Sequence, residues 1–335
     1  MNWQNVVVKP ETAARYDAIW GGLGLGFDES TGKRYDANEL AILTRKAEFV
    51  RSKTFEVEYA ALKALQFIPL ATDIPAWASH AIKIVFDSAG QAIISGGQSD
   101  NAPRVDMIAS EQSQKILSLE AAYGWNLMEL RAALGAGLPL NSKKAEIALR
   151  VINTALDEIL ATGKLTSAGQ TNTGLTGFIN SSAVTIMSAT AGSWAAATAD
   201  AIIAEMAALI STPAQTTKDV YNVNTVLMAP AKYDFIAQKP RSSTSDTTIL
   251  EFLKRTNPGV SFEKWHRLTA AGGSGKDRFV AYEKSPAVVE GILPQQFETL
   301  PPQQRNFESV VLCHARCGGV DIHQPKAMLY LDPTN

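Results

Sequence analysis

Cysteine is scarce in this sequence, which has two cysteines, Cys313 and Cys317, among 335 residues. Small secreted domains are usually held together by several disulfides, so this class is excluded and a reducing compartment is expected. The N-terminal residues lack the basic start and the long apolar core of a signal peptide. These absences predict a soluble intracellular protein.

Charge and long apolar runs are scarce as well. Charged residues make up 19% of the chain and the formal net charge is −2, so no global field attracts nucleic acid. The most apolar window, residues 194–210, contains Asp200 and Glu205. Its apolar residues have the spacing of a helix with one buried face, so no membrane span is predicted. Low charge also leaves surface that neighbouring subunits can bury, which favours assembly.

Metal-binding patterns are missing. The four histidines do not form a His-Glu-x-x-His motif. Cys313-His314-x-x-Cys317, with His323, is the one cluster of metal-like residue types. On an extended strand the two cysteines would lie about 13 Å apart, at about 3.3 Å per residue, which is too far for one ion. We predict no metal site.

Glycine-rich and acyl-enzyme motifs are incomplete. Residues 272–277, GGSGKD, resemble a phosphate-binding loop, but Ala270 replaces its first glycine and Asp277 its Ser/Thr. Residues 21–26, GGLGLG, lack the preceding strand of a dinucleotide fingerprint. Two pairs match the Ser-x-x-Lys element of acyl enzymes without its companion motifs; they are Ser30 with Lys33 and Ser261 with Lys264. We predict no catalytic residue, no cofactor-binding residue and no cofactor, and therefore a protein that is not an enzyme.

A long amphipathic helix is the clearest feature that is present. Its bounds are predicted at residues 141–162, with Asn141 as N-cap and Gly163 as the left-handed stop. Three- and four-residue spacing predicts a buried face made of Ala148, Val151, Ile152, Ala155, Leu156, Ile159 and Leu160. The predicted solvent face carries Lys143, Lys144, Glu146, Arg150, Asn153, Asp157 and Glu158. A polar tether at residues 164–173 and the segment GLTGFIN at 174–180 follow and open a second lobe.

Two segments with little core of their own precede this helix. Residues 1–70 contain scattered apolar groups, which leaves two alternatives open: an arm that packs on a neighbour, or a segment that wraps its own domain. Residues 73–118 alternate with period two around a loose glycine-rich tip, which predicts a long hairpin. Such a hairpin usually packs against another surface.

The remainder of the chain predicts two kinds of sheet. Strands and helices alternate after the tether, which is typical of a helix-flanked sheet. Thr198 and Pro230 are predicted at the start of two of these helices. The last strands, between residues 307 and 331, have no helices of their own. We expect them to pack on the long helix.

This order of elements resembles the major capsid proteins of tailed double-stranded DNA bacteriophages, whose Hong Kong 97-type fold is shared with encapsulin shells. The resemblance covers about residues 70–332 and rests on the order of four motifs. They are Pro103-Arg104-Val105-Asp106; Tyr123-Gly124 followed by Glu129-Leu130-Arg131; GLTGFIN; and Arg316-x-Gly318-Gly319-Val320-x-Ile322-x-x-Pro325-x-Ala327. The resemblance implies an α+β fold with four parts. These are an N-terminal arm at 1–70, an extended loop hairpin at 71–116, a peripheral domain at 117–173 and 301–335 with its spine helix at 141–162, and an axial domain at 174–300.

The resemblance also implies a function and partners. Many copies are expected to form hexamers and pentamers of an icosahedral phage head around double-stranded DNA, without sequence-specific binding. The expected partners are a separate scaffolding protein, a portal and decoration proteins, with no membrane, and assembly is expected in the host bacterial cytoplasm. Some relatives are crosslinked between Lys and Asn; Lys83 is a possible donor, but no acceptor is marked and the bond is not predicted. The alternatives are an encapsulin-type cargo shell and a soluble oligomeric enzyme.

Overall fold

The protein is described here from a computed structural model, which describes residues 61–91, 104–136, 140–171, 173–242 and 246–334. The predicted arm up to residue 60, with its GGLGLG run and its Ser-x-x-Lys pair, lies outside the described residues. The predicted hairpin tip at 92–103 lies outside them as well.

Helices and strands are mixed along the described chain, as the α+β prediction requires. The helices are α1 (Ala64–Phe67), α2 (Leu127–Ala136), α3 (Leu140–Thr162), α4 (Ala199–Thr216), α5 (Pro230–Gln238) and α6 (Ile249–Thr256). The first strands are β1 (His80–Ala89), β2 (Asp106–Lys115), β3 (Leu117–Asn126), β4 (Thr185–Met187), β5 (Thr225–Met228) and β6 (Ser261–Lys264). The later strands are β7 (Phe279–Tyr282), β8 (Val289–Ile292), β9 (Gln295–Thr299), β10 (Gln303–Arg305), β11 (Glu308–Cys317), β12 (Gly319–Ile322) and β13 (Met328–Leu331).

The long helix α3 packs on strands that precede it and on strands that follow it in the chain. β3 pairs antiparallel with β11 over ten residues, and β9 and β10 also pair with β11. α3 contacts β3, β11 and β12. The prediction that C-terminal strands pack on the long helix is confirmed.

A five-stranded sheet in the order β4-β13-β7-β5-β6 forms the second lobe. Successive side chains point to opposite faces of a strand. On β7, therefore, Phe279 faces a core shared with α4 and α6, whereas Val280 faces the core that contains α3. The helix-flanked sheet is confirmed. The last strand, β13, pairs with β4 and β7 in this sheet, so the C-terminal strands are divided between two sheets.

The predicted faces of α3 are largely right, with three corrections. Of the seven residues predicted to be buried, Val151 is 53% exposed, whereas the others are buried or partly buried. Asp157 and Glu158 were predicted to face solvent, but both are buried. Asp157 accepts the Ala64 amide at 2.9 Å and pairs with Arg267 Nε at 2.8 Å. These tertiary partners compensate the burial of a charge that periodicity assigns to solvent.

The segment GLTGFIN caps the C-terminus of α3. Helix ends leave carbonyl groups without intrahelical partners. Three accept from this segment: Leu160 from the Phe178 amide at 2.9 Å, Ala161 from the Ile179 amide at 2.9 Å, and Thr162 from Asn180 Nδ2 at 2.7 Å. The approach requires glycine, because a Cβ on Gly177 would lie 2.2 Å from the Thr162 carbonyl carbon. Gly163 has a φ of +68°, which confirms the predicted left-handed stop.

The start of α3 and the residues before the hairpin differ from their predictions. Asn141 lies inside α3, one residue after its start, so it is not the N-cap. α1 packs against α3, and Ala64, Phe67 and Ile68 are buried in the main core. Tyr282 Oη donates to the Phe67 carbonyl at 2.6 Å. Residues 64–68, which the sequence placed at the end of an arm, therefore wrap their own domain.

Candidate assembly surface

The hairpin formed by β1 and β2 exposes apolar side chains, most of them on one face. Residues that lie directly opposite in an antiparallel pair point to the same face. The register sets Ile82 opposite Ser113, Ile84 opposite Glu111, Phe86 opposite Ala109 and Ser88 opposite Met107. Ile82, Ile84, Phe86 and Met107 thus share a face, and their exposed fractions lie between 54% and 64%. We call these four residues the apolar stripe.

The base of the opposite face contacts its own subunit, whereas farther out this face is exposed and carries Val85 and Ile108. Gln114 Nε2 donates to the Gly318 carbonyl at 2.7 Å and to the Val320 carbonyl at 3.2 Å. Lys83 Nζ pairs with Asp321 Oδ1 at 2.6 Å. All three acceptors lie on or beside β12. The Lys83 face is thus directed to the subunit at the hairpin base; Ile82 of the apolar stripe borders a cavity of its own subunit, and Ile84, Phe86 and Met107 lie farther along the hairpin.

A small apolar group lies under the base of the hairpin. Ala78, Ile116 and Ile292 are buried together, apart from the two larger cores. The Ile116 amide donates to the Ser79 carbonyl at 2.9 Å, and the Arg316 guanidinium donates to the Ala76 carbonyl. These contacts connect the two ends of the hairpin to β8 and β11.

Four ionisable side chains meet beside this group. Lys83 lies on β1, Asp321 on β12, Glu290 on β8, and His323 directly follows β12. His323 Nδ1 lies 3.4 Å from Lys83 Nζ and 3.6 Å from Asp321 Oδ2, and its Nε2 lies 3.4 Å from Glu290 Oε2. We call these residues the base cluster. They border a cavity of about 620 Å³. Local sequence patterns do not reveal the base cluster, because Lys83 lies more than 200 positions before its other three members.

The cysteine–histidine motif is not brought together. Cys313 and Cys317 are free and buried, and His314 faces the other side of β11 because consecutive strand residues alternate. Burial raises the pKa of Cys317 to about 11. His323 belongs to the base cluster instead. In the part of the chain that the structure describes, no group of three His, Cys, Asp or Glu side chains could hold a metal ion.

The GGSGKD loop surrounds a carboxylate of its own chain. The Gly273 amide donates to Asp332 Oδ2 at 3.0 Å, and Arg278 binds both carboxylate oxygens at 2.7 Å. Burial acts to raise the pKa of Asp332. Hydrogen bonds from Arg278 and Gly273, with the charges of Arg278 and Lys276, outweigh it and hold that pKa below its ordinary value.

The Ser-x-x-Lys pair on β6 is not a catalytic dyad. Ser261 Oγ donates to the Asn224 carbonyl at 3.2 Å, whereas Lys264 Nζ lies 3.5 Å from Asp234. Residues three apart on a strand point to opposite faces, which keeps the two side chains apart.

A second apolar area lies at the other end of β3. Leu127, Met128 and Phe307 are exposed there, and the Leu127 amide donates to the Phe307 carbonyl at 3.0 Å. β3 has ten residues, so this area lies about 30 Å from the hairpin base at about 3.4 Å per residue. The subunit therefore exposes apolar side chains at both ends of one strand.

None of the helices described here combines the length and the apolar character needed to cross a membrane.

Comparisons with known proteins agree with this architecture. A family model described as "Major capsid protein" matches residues 90–333. The capsid of Myoviridae phage XM1 is 23% identical, with a TM-score of 0.76 over 90% of this chain and 99% of that chain. A chain of Mycobacterium phage Bobi is 12% identical, with a TM-score of 0.61 over 90% of this chain and 100% of that one. The capsid of a native GTA particle is 13% identical, with a TM-score of 0.57 and the same coverage. A search of curated proteins finds no match.

These structural likenesses establish a shared fold. The fold is the capsid fold that the resemblance in the sequence predicted, so that prediction is confirmed.

Proposed function

Because the chain belongs to the major capsid protein family, we propose that its copies form the hexamers and pentamers of an icosahedral phage head around double-stranded DNA. The matched residues make up most of the chain, and the chain is a structural protein of a capsid shell. We propose no catalytic activity, metal or cofactor for it.

The apolar stripe is the observation that supports assembly through the hairpin. Burying a large apolar side chain is worth about 1.5–3 kcal/mol, and the stripe presents four such side chains that are more than half exposed in the subunit. We propose that a second copy of the chain covers the apolar stripe, because a shell holds copies of the chain at high local concentration. Contacts within a ring are head-to-tail, so the stripe of one subunit meets a different surface of the next. One such contact can serve rings of both five and six subunits.

The chain is divided in this proposal as the resemblance implied. Residues 1–70 form the arm and 71–116 the extended loop. Residues 117–173 with 301–335 form the peripheral domain, and 174–300 the axial domain. The packing of α3 on β3 and β11 supports the peripheral domain, and the five-stranded sheet supports the axial one. β13 is then a strand that the peripheral segment contributes to the axial sheet.

The proposed partners follow from the same family. They are a separate scaffolding protein, a portal, decoration proteins and the packaged DNA. A formal net charge of −2 fits DNA that is driven into a shell rather than bound by its sequence. Membership of a capsid family places the protein in the virion, and we propose that assembly takes place in the host cytoplasm.

Electron microscopy of the purified full-length protein tests this function against its alternatives. We expect closed shells, and shells that contain DNA when they are isolated from infected cells. An encapsulin-type shell would contain protein cargo and no DNA; the family model makes it less supported than a phage head. A soluble enzyme would form small compact oligomers. A dimer under all conditions would overturn the proposal.

A further inference from the structure

We propose that the base cluster is a latch, in which Lys83 of the hairpin is held by Asp321 and His323, with Glu290 contacting His323 from the other side, and thereby sets the angle between the hairpin and its own subunit. The inference concerns a single subunit and does not depend on the proposed shell.

The hairpin is attached at one end. Lys83 is the fourth residue of β1 and Gln114 the penultimate residue of β2, and both bond to the region of β12. β2 is exposed at every position before Gln114. The six residues of β1 beyond Lys83 reach about 20 Å, so a rotation of about 10° at the base moves their far end by about 3.5 Å. Small changes at the base therefore decide where the apolar stripe lies.

The apolar contacts at the base leave this angle weakly determined. Ala78, Ile116 and Ile292 form a group of only three buried side chains, and apolar attraction has no preferred direction. A charge-assisted hydrogen bond, in contrast, is short and directional. The 2.6 Å bond between Lys83 and Asp321 is of this kind. It connects the hairpin to β12 at a defined point.

The strands below the hairpin place two carboxylates close together, and a cation between them stabilises this arrangement. Asp321 and Glu290 lie directly opposite each other in the β12–β8 pair. Like charges at such positions destabilise a sheet. His323 lies between the two carboxylates, and Lys83 completes the set with a full positive charge. Because the hairpin supplies this charge, it is attracted to one position on the subunit.

Charge reversal tests the latch. Lys83→Glu and Asp321→Lys each place like charges at the contact, whereas the double variant restores an opposite-charge pair. Spin labels at Ser88→Cys in β1 and Thr154→Cys in α3 report the angle in dissociated full-length subunits. The native cysteines, Cys313 and Cys317, are buried, and burial raises their thiol pKa, so both should label slowly.

We expect one narrow distance distribution in the native subunit, at least a twofold broader one in each single reversal, and recovery in the double variant. Lys143→Glu breaks an exposed ion pair with Glu146 on α3 and should leave the distribution unchanged. Lys83→Met keeps the length of the side chain without its charge and should also broaden the distribution. This variant replaces a charge reversal that fails to fold. Unchanged distributions in the single reversals and in Lys83→Met, or a double variant as broad as the singles, would overturn the latch.

Discussion

Asp332 shows that a loop resembling a phosphate-binding motif can instead bind a carboxylate of its own chain. In sequence, GGSGKD resembles a loop that binds a phosphate. In the structure, the Gly273 amide and Arg278 donate to the carboxylate of Asp332, an anion of the same chain. A Cβ on Gly272 would lie 2.6 Å from the Asp332 carboxyl carbon, so the glycine permits this close approach. The loop therefore joins the end of the chain to β7.

Asp332 should make the stability of the subunit depend on pH. Its folded-state pKa lies below the ordinary value of 3.8, so its contribution is present above that pH and is lost as the pH falls through the lower, folded-state pKa. We expect Asp332→Asn to cost about 2 kcal/mol at pH 7, from the loss of charge-assisted hydrogen bonds. The difference between native and variant should shrink on acidification, as measured by urea unfolding.

A control for this prediction is Asp234→Asn, which removes an exposed ion pair with Lys264. Exposed pairs contribute little, so we expect a change below about 0.5 kcal/mol that does not vary with pH. A cost for Asp332→Asn that stayed constant from pH 7 to pH 3 would contradict the assignment.

At the scale of the element, α3 shows what periodicity can and cannot predict. The end of the helix and six of seven buried positions agree with the sequence. Val151 lies at the margin of the apolar face, and only the neighbouring elements decide whether such a position is covered. Asp157 lies under α1 and Arg267, which come from positions about 90 residues before it and 110 after it. No local pattern carries that information.

Adjacent positions on α3 provide a matched test. Ile152 is 2% exposed and Val151 is 53% exposed. We expect Ile152→Asp to cost several kcal/mol, because it buries an unpaired charge, and to abolish soluble subunit. Val151→Asp should change the free energy of unfolding by less than about 1 kcal/mol, because its side chain stays in water. The yield of soluble subunit measures the effect of Ile152→Asp, and chemical denaturation measures that of Val151→Asp. Similar damage from both would contradict the face described for this helix.

At the scale of the whole molecule, the hairpin combines two properties that rarely occur together. It contributes little to the core of its own subunit, and it carries a stripe of large apolar side chains. A monomer gains nothing from such a stripe, since an exposed apolar surface invites association. In a capsid protein, we propose, the same surface provides the attraction between copies.

Phe86→Ser combined with Ile84→Ser should separate assembly from folding. Both side chains are exposed in the subunit, so we expect the unfolding temperature of the subunit to stay within about 2 °C of the native value. Closed shells should be lost, because the contact between copies loses its apolar area. Size-exclusion chromatography and electron microscopy give the readout. Val220→Ser removes an exposed apolar side chain outside the hairpin and should still form shells.

The sequence by itself determined the elements and their order. Local spacing predicted α3, the hairpin, the helix starts at Thr198 and Pro230, and the stop at Gly163. The order of these elements and of four sequence motifs resembles the major capsid proteins of tailed phages, and this resemblance predicted the capsid fold. Helix and strand patterns depend on neighbours within a few residues, and for that reason a single sequence contains them.

Only the tertiary structure decided which distant residues meet. It placed β13 in the five-stranded sheet, buried Asp157 beside Arg267, and assembled the base cluster from β1, β8 and β12. These contacts join positions separated by up to 240 residues. In addition, the sequence does not distinguish a charged residue that is paired from one that faces solvent. The hairpin depends on both the local sequence pattern and the tertiary packing. Alternation predicted the two faces, and the packing against β12 decided which of them is left for a neighbour.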